Sequence, residues 1–123
     1  MTFRSFEEIS AWQSARKLVA AIYGASKDGE FARDFGLRNQ IRRAALSVMA
    51  NIAEGFSYRS DKEFAKFLLI AKASALEVQS HLYAALDQGY LTEIEFQHLY
   101  SLAAGCAKQL SSLISFLLKR QAG

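Results

Sequence analysis

The stretch Ser60-Asp-Lys-Glu-Phe-Ala-Lys-Phe-Leu-Leu-Ile-Ala-Lys-Ala-Ser-Ala-Leu-Glu-Val-Gln-Ser-His-Leu-Tyr-Ala-Ala-Leu-Asp87 decides the fold. Its apolar residues Phe64, Phe67, Leu68, Ala71, Ala75, Val78, Leu82 and Leu86 recur at helical intervals, so they share one face of an α-helix. Ser60-Asp-Lys-Glu63 reads as a capping box, with the serine hydroxyl taking a first-turn N–H and the glutamate reaching back. Gly89 is the natural stop, because glycine enters the left-handed conformation without a Cβ penalty. Residues 60–88 are therefore predicted to form one helix of roughly 40 Å, with a single apolar side that needs partners of similar length.

Working outward, the same logic applies on both sides. Thr92-Glu-Ile-Glu95 is a second capping box, opening a helix over 92–121 that turns Leu99, Leu102, Cys106, Leu110, Leu113 and Leu117 inward. Lys119 and Arg120 complement the dipole at its end. Upstream, Leu37, Ile41, Ala45, Val48 and Ile52 predict a helix over 36–56. Ser5-Phe-Glu-Glu8 predicts a first helix over 5–27 carrying Phe6, Ile9, Trp12, Ala15, Val19 and Ile22, with Phe31 and Phe35 in the connection. There is no proline and there are only seven glycines, which leaves few breakers for a loop-rich or β-rich fold. The expectation is an all-α chain, an up-and-down antiparallel four-helix bundle occupying 1–123 as one domain.

Composition agrees. At 123 residues, 51% hydrophobic and 22% charged, the chain is too apolar for disorder. Size scaling predicts a folded surface of about 6,600 Å². The net charge is +3, and the excess sits in residues 33–59, which hold five basic against two acidic residues. Arg38 and Arg42 lie one turn apart with no acidic neighbour on their helix. With Arg33 and Arg59 they form the candidate surface for phosphates of RNA or DNA, beside Tyr58 as a stacking platform. A solvated helix face is the competing reading.

The same helix carries a polar line, Gln40, Arg43, Ser47, Asn51 and Glu54, beside its apolar one. Ala44, Ala50 and Ala53 allow close backbone approach, and Ala71, Ala73, Ser74, Ala75 and Glu77 offer a matching patch on the following helix. Arg43, Asn51, Glu54 and Glu77 are therefore predicted to form a buried or half-buried network, within one subunit or between two.

Chemistry-bearing constellations are sparse. Glu95-x-x-His98 has the spacing of di-iron bundles, but the other histidine, His81, sits four residues from Glu77 and breaks the required repetition. Cys106, the one cysteine, lies in an apolar run and reads as a core residue. No phosphate-binding glycine loop, Cys-x-x-Cys pair or nucleophile elbow occurs. The expectation is a protein that is not an enzyme and uses no metal or cofactor. A lone cysteine points to a reducing cytoplasm, and Glu7 and Glu8 stand where a signal peptide needs apolar residues. No run approaches the ~18 apolar residues of a membrane span, so none is expected.

The run Phe35-Gly-Leu-Arg-Asn-Gln-Ile-Arg-Arg-Ala-Ala-Leu-Ser-Val48, followed by Asn51-Ile-Ala-Glu-Gly55, is distinctive. With Trp12-Gln-Ser-Ala15, Glu63-Phe-Ala-Lys-Phe-Leu68 and Ala71-Lys-Ala-Ser-Ala-Leu-Glu77, it resembles the bacterial four-helix-bundle family encoded in intervening sequences of large-subunit ribosomal RNA genes. The resemblance spans Phe6 to about Leu118. It implies a non-enzymatic homo-oligomer forming a ring, a pentamer, with Gln40, Arg43, Asn51, Glu54, Gly55, Ser74 and Glu77 as scaffold residues. It also implies a relation to the accessory variability proteins of diversity-generating retroelements, which bind nucleic acid and a reverse transcriptase through such a ring. Two departures stand out: Met49 and Ala32 occupy positions where that family usually has proline, which predicts a straighter second helix here.

Overall fold

In the computed structural model, which describes residues 3–122, the Thr92 box closes in both directions. Thr92 Oγ1 accepts from the Glu95 N–H at 3.1 Å, and Glu95 Oε1 accepts from the Thr92 N–H at 2.8 Å. The helix it opens, α5, runs Glu93–Ala122. These bonds, the backbone one foremost, hold the Glu95 carboxyl below its ordinary value of about 4.5. A carboxyl depressed in the folded state contributes stability that is complete above the unfolded value and lost as pH falls through the folded one. Thr92→Ala is therefore expected to cost about 1 kcal/mol near neutral pH. Removing the Thr92 hydroxyl leaves the backbone bond to the Glu95 carboxylate, so the acid-sensitive part is read with Glu95→Ala. In thermal melts its gap to wild type should narrow as pH falls through the acid range; a gap unchanged by acid would mean that the Glu95 carboxylate contributes nothing to the cap.

Helix α4 runs Asp61–Asp87 and ends as predicted. Gly89 has φ +78°, its N–H donates to Leu86 O, and the Tyr90 N–H donates to Ala85 O, the pattern of a Schellman close. Only half of its starting box forms: Ser60 Oγ accepts from the Glu63 N–H, while the Glu63 carboxylate takes Lys66 instead. Helix α3, Phe35–Ser57, passes unbroken through Met49. Its cap is Asp34, which the sequence reading missed: Oδ1 accepts from the Leu37 N–H at 3.1 Å, and Oδ2 accepts from the Tyr90 hydroxyl at 2.9 Å.

The N-terminal box does not form, and the first helix starts later than expected. Phe6–Glu8 is a single 3-10 turn, the Ser5 side chain caps nothing, and Glu8 accepts from the Arg4 N–H instead. Helix α1 is Ser10–Ala25. The reason is Ile9, which sits extended between the two (φ −77°, ψ 120°) and is 1% exposed. Burying that side chain bends the chain where a continuous helix would have pointed it elsewhere. The inward face of α1 is accordingly Ala11, Ala15, Leu18 and Ile22, with Trp12 and Val19 flanking it. A short helix α2, Gly29–Arg33, replaces the expected loop. Its Phe31 is buried and stacks on Tyr90 with ring centroids 5.4 Å apart, which closes that end of the core.

The described chain is thus all-helical, with four long helices around one apolar cluster that includes Ile22, Ile41, Val48, Ile52, Leu68, Val78, Leu82, Cys106 and Leu110. Helix α3 packs on α4, α4 on α5, and α1 on both α3 and α5. Gly55 lies against Phe64 and Phe67, Asp61 pairs with Arg120, and Tyr83 packs on Phe96 and Tyr100. The accessible surface, 6985 Å², is close to the size-scaling value. One expectation needs correcting. Among the described residues, Glu93–Gln121 is long and apolar enough, by length and composition, to cross a membrane. Its residues Phe96, Leu99, Leu110 and Leu117 are buried in the bundle core.

Candidate functional site

The arginines chosen from the sequence do not form one surface. A helix leaves its last carbonyls without partners, and two of these arginines answer that need. Arg42 Nε donates to Ser26 Oγ at 2.9 Å and Nη2 to Ser26 O at 3.1 Å, while the guanidinium lies 4.4 Å from the Tyr23 ring centroid. Ser26 is fully buried just past the end of α1, and its hydroxyl also donates to Ile22 O at 2.7 Å. Arg38 Nη1 donates to Ala32 O at 2.9 Å, Nε to Asn39 Oδ1 at 3.2 Å, and its guanidinium covers Phe35 at 4.7 Å. Both were expected to be exposed and unpaired. They are instead half-buried struts tying α3 to the ends of α1 and α2. Arg33 and Arg59 are exposed. Arg59 follows the far end of α3, roughly 30 Å from Arg38 at 1.5 Å per residue. Tyr58, the proposed base platform, stacks on Phe67 at 5.2 Å.

The polar line is also smaller than expected. Its centre is real: Ser47 Oγ and Ser74 Oγ are 2.8 Å apart, and Asn51 Nδ2 donates to Ser47 O at 2.8 Å and to Ser47 Oγ at 3.0 Å. These three half-buried groups sit where α3 and α4 approach closely, next to buried Ala44, Ala71 and Ala75. Gln40, Arg43, Glu54 and Glu77 are exposed, not part of a buried network. Glu77 lies 3.5 Å from His81 Nε2 on its own helix. Among the described residues, the side chains of Arg43 and Glu54 make no hydrogen bond or ion pair. Only short side chains fit between helices this close, and the longer ones swing outward.

The groups capable of chemistry are placed for other tasks. Glu54 and Glu77 open to solvent on different helices, and Glu95 is engaged in its cap. Burial pushes the Cys106 thiol up to about 11, so it stays protonated and a poor nucleophile near neutral pH.

The sequence reading missed a second apolar line on α4. Leu69, Leu76 and Tyr83 are 53%, 52% and 52% exposed, and Ala73 and Ser80 lie exposed between them. The spacing 69, 73, 76, 80, 83 alternates four and three, as along a coiled-coil seam. Ile70, 50% exposed, flanks it. The signal was present in the sequence, hidden because the core stripe of the same helix was read first.

The sequence pattern of the family described as 23S rRNA-intervening sequence protein matches residues 7–112. Among solved structures, a protein with unknown function from the S23 ribosomal protein family of Bacteroides thetaiotaomicron superposes with a TM-score of 0.77. It is 23% identical, over 85% of this chain and 97% of that one, a likeness of fold. No curated protein matches the chain.

Proposed function

Since the chain belongs to the 23S rRNA-intervening sequence protein family, we propose that it is a non-enzymatic helical scaffold that assembles with copies of itself and binds RNA or DNA in the cytoplasm. The observation that carries the assembly is the Leu69, Ala73, Leu76, Ser80, Tyr83 seam, which faces outward from a complete core. A line of half-exposed leucines at coiled-coil spacing gains most by packing on another helix. The bundle is read as up-and-down: Ser47 meets Ser74 while Gly55 meets Phe67, and Tyr83 meets Phe96 while Asp61 meets Arg120, so numbers rise on one helix as they fall on its neighbour. The outward face of α4 carries this seam along its length, which suits the ring, a pentamer, that the family resemblance implies.

Light scattering at micromolar concentration tests the assembly. The expected mass is a multiple of 13.7 kDa, five-fold for a pentameric ring. Leu69→Glu/Leu76→Glu is expected to return 13.7 kDa with the melt retained, because both side chains already face water. A wild-type mass of 13.7 kDa overturns self-assembly and leaves the same seam to a partner polypeptide, the second reading that this face supports.

A further inference from the structure

The charge of this protein is uneven in space in a way that its distribution along the chain conceals. Helix α1 carries Arg16 and Lys17 and no acidic residue. Beyond its capping turn, α5 carries Lys108, Lys119 and Arg120 and no acidic residue. The two other long helices balance six basic residues against five acidic ones. Helices α1 and α5 pack side by side, and Arg16, Lys17, Lys108 and Lys119 share one side of the bundle, while Arg120 turns to Asp61 of α4.

That side is continuous. Arg16 and Lys17 line one shallow groove, Lys17 and Lys108 the next, Lys108 and Ser112 a third, and Ser112 and Lys119 a fourth. All four cations are exposed, and among the described residues none of them forms an ion pair. Glu7, at one margin of the first groove, is the acidic residue lining it. Lys108 and Lys119 lie about 16 Å apart along α5 at 1.5 Å per residue. Around the lysines the exposed surface of α5 includes Ser101, Gly105, Gln109, Ser112 and Ser115, with Leu118 exposed beside Lys119.

We infer that this α1–α5 face is the surface that holds a nucleic-acid backbone; the inference rests on the nucleic-acid half of the proposed function and relocates it from α3. Unpaired cations set among short hydroxyl and amide side chains match a row of phosphates, which are held by charge and by hydrogen bonds from Lys, Arg, Ser and Gln. Protein interfaces are depleted in lysine and serine, which make up most of the exposed polar groups here; Trp12 and Phe116 lie half-buried at the floors of the grooves. With the α4 seam on a different helix, assembly and backbone binding do not compete for the same residues.

The test is a fluorescence-anisotropy titration with an RNA duplex and a DNA duplex, each between 50 and 200 mM salt. Counterion release predicts a salt slope of about −3 to −4 per protomer if all four cations touch duplex phosphates. Lys17→Gln/Lys108→Gln is expected to weaken binding at least about tenfold and to flatten the slope by about two, with oligomer mass and melting temperature unchanged. Arg33→Gln/Arg43→Gln, on exposed α2 and α3 arginines, is expected to bind as wild type. Loss in the α2–α3 variant alone, or equal loss in both, overturns the α1–α5 assignment while leaving nucleic-acid binding standing. No salt-sensitive binding to either duplex overturns both. Comparison of the two duplexes then shows whether the surface prefers RNA or takes any phosphodiester backbone.

Discussion

Gly55→Ala should destabilise the protein by about 1–3 kcal/mol, although alanine is the better helix former by nearly 1 kcal/mol. A Cβ at Gly55 would stand 2.5 Å from Phe67 Cβ and 3.2 Å from both Phe67 Cγ and Phe64 Cδ1. Phe67 Cβ is fixed by its own helix, so α3 and α4 must move apart, and the Ser47–Ser74 hydrogen bond lies along the same contact. Gly105 provides the opposite sign. It is exposed within α5 and a Cβ there meets nothing within 4 Å, so Gly105→Ala should stabilise by about 0.5–1 kcal/mol. At roughly 4 °C per kcal/mol for a domain of this size, thermal melts separate the two glycines. A Gly55→Ala protein melting at or above wild type would show that the helices are not this close.

Arg42→Ala is expected to cost about 2–3 kcal/mol, because it removes two charge-assisted hydrogen bonds and leaves the fully buried Ser26 with fewer partners. Arg42→Lys should recover little, since an ammonium lacks the planar fork that meets the Ser26 hydroxyl and carbonyl while lying over the Tyr23 ring. Arg43→Ala, one residue on, should stay within about 0.5 kcal/mol of wild type, because Arg43 is exposed without a partner among the described residues. Denaturant melts of the three variants check the ordering; equal midpoints for Arg42→Ala and Arg43→Ala would show that the strut is not holding α1 to α3. The same geometry makes charge reversal at Arg38 and Arg42 a test of folding and not of nucleic-acid binding.

These two residues show where sequence reasoning reached and where it stopped. Periodicity carried the helices, because a 3.6-residue repeat is a property of the chain itself and is written directly in Leu68, Ala71, Ala75, Val78 and Leu82. The Thr92 box and the Gly89 stop were legible for the same reason: each involves residues within one turn. The Ser5 box failed although it has the same Ser/Thr-x-x-Glu pattern, because burial of Ile9 outweighs about 1 kcal/mol of capping. Asp34 was overlooked as a cap because the box pattern at its helix start is incomplete, and its second bond, to Tyr90, crosses 56 positions.

What the sequence by itself determined is therefore the all-helical class, the lengths of the three later helices, the buried Cys106 and the family. Those follow from local spacing and from segments of characteristic residues. What only the tertiary structure decided is which cations are free. Arg38 and Arg42 look identical in sequence to Arg33 and Arg43, yet the former pair satisfies helix-end carbonyls 6 and 16 positions away, while the latter pair faces water. A charge's availability depends on what lies across from it in space, and a linear count of residues 33–59 cannot register that. Docking α1 beside α5 moved the unpaired basic surface onto segments that the linear count had read as nearly balanced.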